Sequence, residues 1–229
     1  AILNRAVSGR STRDYRSLGH FDAVMAELRE GDLLLIQFGH NDEKIEDPAR
    51  YSDAATAFPA GLREFVRGAR ARGAVPVLLT PVARRVFDGQ GRPVDTHGDY
   101  AQAVRQVAAA EHVTLIDLAQ RSMDWIEALG PDASKAYYLY DAAINLADDT
   151  HFHRRGAVAV ACLVVSDLVA QGLLPAQRTT RDVDCGVPPD QRRRVAQQVR
   201  PSLIEHADLG AEVQPAPHGG DGITVASPL

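Results

Sequence analysis

Three short apolar runs, spaced by stretches with helical periodicity, constrain this chain more than any other feature. The runs are residues 33–38 (Leu-Leu-Leu-Ile-Gln-Phe), 75–80 (Val-Pro-Val-Leu-Leu-Thr) and 113–118 (Val-Thr-Leu-Ile-Asp-Leu). Short, nearly continuous apolar runs suit parallel strands that are covered on both faces. Phe21, Val24, Met25 and Leu28 precede the first run at i, i+3, i+4, i+7 spacing. Phe58, Leu62, Phe65, Val66 and Ala69 make a second stripe, ended by Gly73, and Tyr100, Ala103, Val104, Val107 and Ala108 a third. Leu118, Ser122, Trp125, Ile126 and Leu129 make a fourth, closed by Gly130-Pro131. Residues 157–169 are apolar nearly all round, which predicts a buried helix stopped at Gly172. Strands alternating with helices predict one α/β unit over residues 1–173, a parallel sheet in three layers.

Residues 174–229 differ. Pro175, Pro188, Pro189, Pro201, Pro215, Pro217 and Pro228 punctuate them, and only residues 191–199 have a helical look, with a polar, basic face. The expectation is a linker or extended tail that proteases trim first. The chain opens at Ala1 with no charged leader, and reads as a segment of a longer protein; its compartment stays open. Residues 157–169 are too short for a membrane span and contain Ser166 and Asp167. A net charge of −5 supplies no basic footprint, so neither nucleic acid nor an anionic membrane is an expected partner. Cys162 and Cys185 do not make a disulfide framework, and Cys162 reads as core packing.

Three clusters lie where open α/β sheets place their ligands, after strands or before helices. The first is residues 4–12, Asn-Arg-Ala-Val-Ser-Gly-Arg-Ser-Thr. Gly9 there lets a backbone N–H approach a ligand closely, or simply makes a strand-to-helix turn. The second is residues 38–42, Phe-Gly-His-Asn-Asp. The Asn41 amide is a suitable oxyanion donor, although Gly, Asn and Asp also favour an ordinary turn. The third is residues 147–152, Ala-Asp-Asp-Thr-His-Phe. His151 with Asp148 three residues earlier can be a general base and its orienting carboxylate, or Asp148, Asp149 or Thr150 can cap the helix that follows. His97 precedes a helix and either reaches the site or only precedes a cap. Arg84 and Arg85 follow a strand end, ahead of a turn with Asp88, Gly89 and Gly91. They suit contact with an acidic polymer, or structural ion pairs. No zinc-type ligand spacing appears.

Taken in order, these blocks resemble the SGNH (GDSL-like) hydrolases, and more closely the rhamnogalacturonan acetylesterase-like enzymes of carbohydrate esterase family 12. The resemblance runs from about residue 3 to about residue 170 and includes residues 4–13, 36–42, 80–85 with Phe87, 96–100 and 148–152 ahead of Gly156-Ala157. It implies a flavodoxin-like α/β/α fold and no cofactor. It implies that Gly9 and Asn41 form the oxyanion hole, that His151 is the base and that Asp148 orients it. The implied substrate is an acetylated polysaccharide or oligosaccharide of pectic type. Arg84, Arg85 and His97 are candidates for contact with it.

The family's first block, Gly-Asp-Ser, is missing, since only eight residues precede Gly9. The expectation is therefore a domain lacking its first strand, with two uncovered strand edges, unstable in isolation and inactive as an esterase. Residues 219–225, Gly-Gly-Asp-Gly-Ile-Thr-Val, echo that block with Gly222 at the serine position. No apolar strand is readable there, so Gly222→Ser is not expected to rescue activity. Two other readings stay open: a glycan-binding remnant without catalysis, and a metal-dependent phosphoesterase using Asp148, His151 and the Gly-His-Asn-Asp block.

Overall fold

Leu34 and Ile36 point to one side of the sheet and Leu35 to the other, and Val77, Leu78 and Leu79 alternate likewise, so both faces of these strands must be covered. In the computed structural model, which describes residues 1–176, Cys185 and 223–226, they are. The central sheet contains β1 (Ile2–Asn4), β2 (Leu33–Gln37), β3 (Val75–Leu79) and β4 (Thr114–Ile116), all running parallel. Helices α1 (Thr12–Ser17), α2 (His20–Glu27), α3 (Ala57–Ala71) and α4 (Asp99–Ala110) border one core. There Tyr15, Val24, Phe58, Leu62, Phe65 and Val104 meet Leu34, Ile36 and Leu78. Helices α5 (Leu118–Ala133) and α6 (Arg154–Ala170) border the other. There Trp125, Ile126, Ala159, Leu163 and Leu168 meet Leu35, Val77, Leu79 and Ile116. This is the expected three-layer α/β/α arrangement.

The helical stripes fall where expected, and α5 breaks at Gly130, just before Pro131. Helix α6 is different. Its buried residues, Gly156, Ala159, Leu163, Asp167 and Leu168, make one face, while Val158, Val160, Val164 and Val165 are half-buried. The expectation of a fully buried helix is corrected, because α6 belongs to an outer layer and only one of its faces meets the sheet.

Two further expectations are overturned. Residues 223–226 form a strand, β7 (Ile223–Ala226), lying between β1 and β2 and parallel to both. Val225 pairs with Asn4 and with Leu35. The sheet order is β1-β7-β2-β3-β4, so the two edges expected to be bare, those of β1 and β2, both pair with β7, and the tail does contain a strand. The physical reason is the demand of two facing backbone ladders for a partner, which four residues satisfy without any pattern of their own. The expected tail helix at 191–199 and the Gly222 position lie outside the described residues. Cys162 on α6 is also not merely packing, since it forms a disulfide with Cys185, with Cα atoms 5.8 Å apart.

Beside the main sheet stands a two-stranded antiparallel hairpin, β5 (Tyr138–Asp141) and β6 (Leu146–Phe152). The chain turns from β6 into α6 at His153, whose side chain accepts from the Arg155 N–H as the helix cap. That settles the capping alternative against Asp148, Asp149 and Thr150, which lie within the strand. Gly156 makes the junction close: a Cβ there would meet the Tyr137 carbonyl oxygen at 2.0 Å. Only glycine allows α6 to start so near the 3-10 turn Ser134–Tyr137 that follows α5.

Candidate active site

Four of the expected residues collect at the C-terminal ends of the parallel strands, on two different kinds of support. Gly9 turns the chain between β1 and α1 with φ +73°, a left-handed conformation that favours glycine. Among the described residues its N–H meets no acceptor. Ser11 then starts α1 as a capping box, its hydroxyl accepting from Asp14 N–H and the Asp14 carboxylate accepting from Ser11 N–H at 2.6 Å.

Asn41 follows β2 and is buried. Its side-chain N–H donates to the Arg10 carbonyl at 3.3 Å, and its Oδ1 accepts from Arg50 at 3.4 Å. An amide nitrogen carries two N–H groups, so one remains for a ligand. Asp42, fully buried, accepts from both the backbone N–H and the hydroxyl of Thr12, and Tyr100 donates to the Asp42 carbonyl. Burial pushes the Asp42 carboxyl up to about 6, against the pull of the Thr12 and Ser52 hydrogen bonds. These bonds join the loop after β1 to the loop after β2, which sets Gly9 and Asn41 side by side.

Asp148 and His151 stand on β6. His151 Nδ1 lies 2.8 Å from Asp148 Oδ2, while Asp148 Oδ1 accepts from the backbone N–H of Thr150 at 2.7 Å and of His151 at 2.9 Å. Burial raises the Asp148 carboxyl, but those two backbone donors and the imidazole outweigh it and hold it below its ordinary value. An ionised Asp148 fixes the proton on His151 Nδ1 and leaves Nε2 as the nitrogen able to accept one. His151 is half exposed, with Nε2 lacking a partner among the described residues. No direct hydrogen bond joins His151 to Gly9 or Asn41 among the described residues. The link between the two parts is electrostatic: His151 is close enough to His40, on the β2 loop, to help depress its pKa.

His40 belongs to a buried polar group beside the site. Burial chiefly, then the neighbouring charges of His97, Arg84 and His151, hold it far below the ordinary imidazole value. Its ring meets that of His97 edge-on at 4.2 Å. His97 has Nδ1 3.1 Å from Glu43 Oε2 and Nε2 3.1 Å from the Val82 carbonyl oxygen. Glu43 also pairs with Arg84. Burial raises the Glu43 carboxyl, but His97 and Arg84 together pull it below its ordinary value.

Both arginines thus have protein carboxylates as partners: Arg84 has Glu43, and Arg85 has Asp149, with Nε 2.9 Å from Oδ1. Arg85 and His97 are buried and engaged, and neither offers a free face to a polymer. Arg84 retains 21% of its side-chain surface. Glu43 and Tyr140 escaped the sequence reading, and Asp149 was read only as a possible helix cap. Glu43 directly follows the Gly-His-Asn-Asp block, which was the one available signal for it.

The sequence contains no Gly-Asp-Ser; of the serines beside Gly9, Ser11 caps α1 and Ser8 lies in the exposed turn. No helix among the described residues is long and apolar enough to cross a membrane.

The chain is 36% identical over 172 residues to a probable rhamnogalacturonan acetylesterase of Bacillus subtilis, YesY, covering 75% of this chain and 78% of that one. It is 36% identical over 179 residues to the rhamnogalacturonan acetylesterase RhgT of the same organism, covering 75% of each. The crystal structure of Bacillus subtilis YxiM superposes with a TM-score of 0.66 at 29% identity, covering 74% of this chain but only 46% of that protein. Residues 1–159 match the GDSL-like lipase/acylhydrolase family, and the chain belongs to that family of ester hydrolases.

Proposed function

We propose that this chain carries the base and the oxyanion hole of a carbohydrate O-acetylesterase acting on acetylated pectic polysaccharide. The observation that carries the reading is the Asp148–His151 pair at 2.8 Å, on the sheet end that also presents Gly9 and Asn41. His151 Nε2 takes the proton of an attacking serine hydroxyl and later returns it to the leaving sugar oxygen. Asp148 keeps the Nδ1 proton in place and stabilises the imidazolium. The Gly9 N–H and the free Asn41 N–H donate to the oxyanion of the tetrahedral intermediate. Water then attacks the acetyl-enzyme, again with His151 as base, and acetate leaves. The two acetylesterase relatives support the choice of substrate. Arg84, the more exposed arginine, is the group proposed to meet a galacturonate carboxylate, in exchange for part of its contact with Glu43.

Since these residues include no Gly-Asp-Ser, the test compares the 229-residue chain with a version extended ahead of Ala1 by a strand ending in that block and cut after residue 222, so that the place of β7 between β1 and β2 is left free. Acetate release from acetylated pectic polymer is measured for both. The extended chain is expected to turn over and the 229-residue chain to be inert. Inertness of a folded extended chain on polymer and aryl acetate alike would overturn the reading.

A further inference from the structure

Asp148 and His151 are borne by a hairpin outside the main sheet, so something must fix the rotation of β6 relative to the strand ends. The described contacts concentrate on one side chain. Arg85, in the loop after β3, is 8% exposed. Its backbone N–H donates to the Asp149 carbonyl at 2.8 Å. Its guanidinium Nε lies 2.9 Å from Asp149 Oδ1, as an ion pair rather than an aligned hydrogen bond. Nη2 donates to the Tyr140 hydroxyl at 2.9 Å and Nη1 to the Pro131 carbonyl at 3.3 Å. The Tyr140 hydroxyl donates in turn to Asp149, and the guanidinium lies over the Tyr140 ring at 5.1 Å and the Phe87 ring at 5.7 Å. One planar fork therefore gathers the end of α5, β5 and β6 onto the loop after β3.

We propose that Arg85 is a positioning residue for the Asp148–His151 pair. The inference rests on the dyad reading given above. The β5–β6 ladder is irregular here: Leu139 pairs with Asp148 and Tyr138 with Phe152, so residues 149–151 bulge without partners on β5. Arg85 holds Asp149 inside that bulge, and so sets the path of the chain between Asp148 and His151, whose side chains meet across it. Without the guanidinium β6 keeps its ladder with β5 and the backbone bond from Arg85 to Asp149, but the Asp149 side chain and the bulge lose their brace. Asp148 then loses its aim, and the imidazole reverts to the Nε2–H tautomer, which cannot accept the serine proton. Lysine does not substitute, because an ammonium is a point charge and cannot serve Asp149, Tyr140 and Pro131 in one plane.

The test is a ¹⁵N–¹H long-range correlation spectrum of the 229-residue chain at a pH where the rings are neutral, with His151 assigned by loss of its signals in His151→Ala. The unsubstituted chain is expected to show the proton on Nδ1 of His151. Arg85→Ala and Arg85→Lys, each with its cooperative melt checked, are expected to lose most of that signature to the Nε2–H form. Arg85→Lys retains the charge facing Asp149 and serves if Arg85→Ala does not fold. A folded Arg85 variant that keeps the Nδ1–H pattern overturns the proposal. An unsubstituted chain already in the Nε2–H form overturns the dyad reading and the proposal with it, so the two failures carry different signatures.

Discussion

Asn41 and Asp42 are enclosed by protein, while Asp148 and His151 ride on a hairpin beside the sheet, with His151 half exposed. The oxyanion half is tied across two sheet loops by buried side-chain bonds: Asn41 to Arg10, Asp42 to Thr12, Tyr100 to Asp42. The base half is tied to the sheet chiefly through Arg85 and the close start of α6 at Gly156. The contrast fits the chemistry proposed for each. A donor that meets a developing oxyanion works best when it cannot reorganise. A base must accept and return a proton through an accessible nitrogen, which leaves its strand less covered. Substitutions in the first half should therefore cost stability, and substitutions in the second should cost function.

The largest effect is expected from His151→Ala in the chain extended with a Gly-Asp-Ser strand. Acetate release should fall by a factor on the order of 10⁴ or more, since the base is lost outright. The melting temperature should scarcely move, because a half-exposed side chain is removed. Asp148→Asn should cost less, but still orders of magnitude, through the wrong tautomer. Near-normal turnover in His151→Ala would end the comparison by removing the base from one of its sides.

Removing β7 probes the support shared by the oxyanion loops. Chains ending at residue 222 leave β1 and β2 without the strand between them. Four residues bonded on both sides, at about 1 kcal/mol net per hydrogen bond, amount to roughly 5 kcal/mol. That is comparable with a small domain's whole stability, about 5–15 kcal/mol. Urea unfolding should show a lower midpoint or a loss of cooperativity. An unchanged midpoint would mean that the oxyanion half stands without its central strand.

That strand also marks where sequence reading stops. The runs at 33–38 and 75–80 announced themselves because both faces of β2 and β3 are buried, and the stripe through Phe58, Leu62 and Phe65 because one face of α3 is. Ile223–Ala226 has too few residues for a pattern, and its place is set by ladders that belong to distant parts of the chain. The hairpin strand β6 was hidden for another reason: Leu-Ala-Asp-Asp-Thr-His-Phe is half polar and none of it is buried, so it shows no strand pattern. Within the site, Asp148 and His151 were legible since they stand three positions apart and their contact is local. The union of Asn41 with Arg10, and of Glu43 with Arg84 and His97, joins segments about 30 to 55 residues apart, and no spacing rule reaches that far. Cys162 and Cys185 likewise carried no spacing signal for their bond.

That disulfide stabilises the base half's outer helix. Closing a loop between residues 23 apart removes chain entropy from the unfolded state worth roughly 3.5 kcal/mol. Cys162→Ser with Cys185→Ser should lower the urea midpoint accordingly, while the His151 tautomer stays as it was, since His151 Nδ1 is held by Asp148 rather than by α6. A changed tautomer would show that α6 transmits strain to the dyad.

The smallest effect belongs to Asp42, and pH reads it. Its carboxyl ionises near 6 in the folded chain, against 3.8 ordinarily, because burial disfavours the charge. The folded state therefore holds this proton more tightly than the unfolded state. Stability from this group is complete below about pH 4 and is lost as pH rises towards 6, by about 3 kcal/mol in all. Asp167, also raised by burial, slopes the same way, whereas His40, held low by burial, slopes oppositely below its ordinary value of 6.5. The total curve mixes these slopes, so the measurement is a difference. Asp42→Asn keeps an oxygen for the Thr12 N–H and hydroxyl and removes the titration. The unfolding free energy of the unsubstituted chain minus that of Asp42→Asn should decline between pH 4 and 6 and be flat above about pH 7. A difference that is flat throughout would mean that Asp42 is better solvated than its burial implies, and that the oxyanion half is less closed than the base half's exposure makes it look.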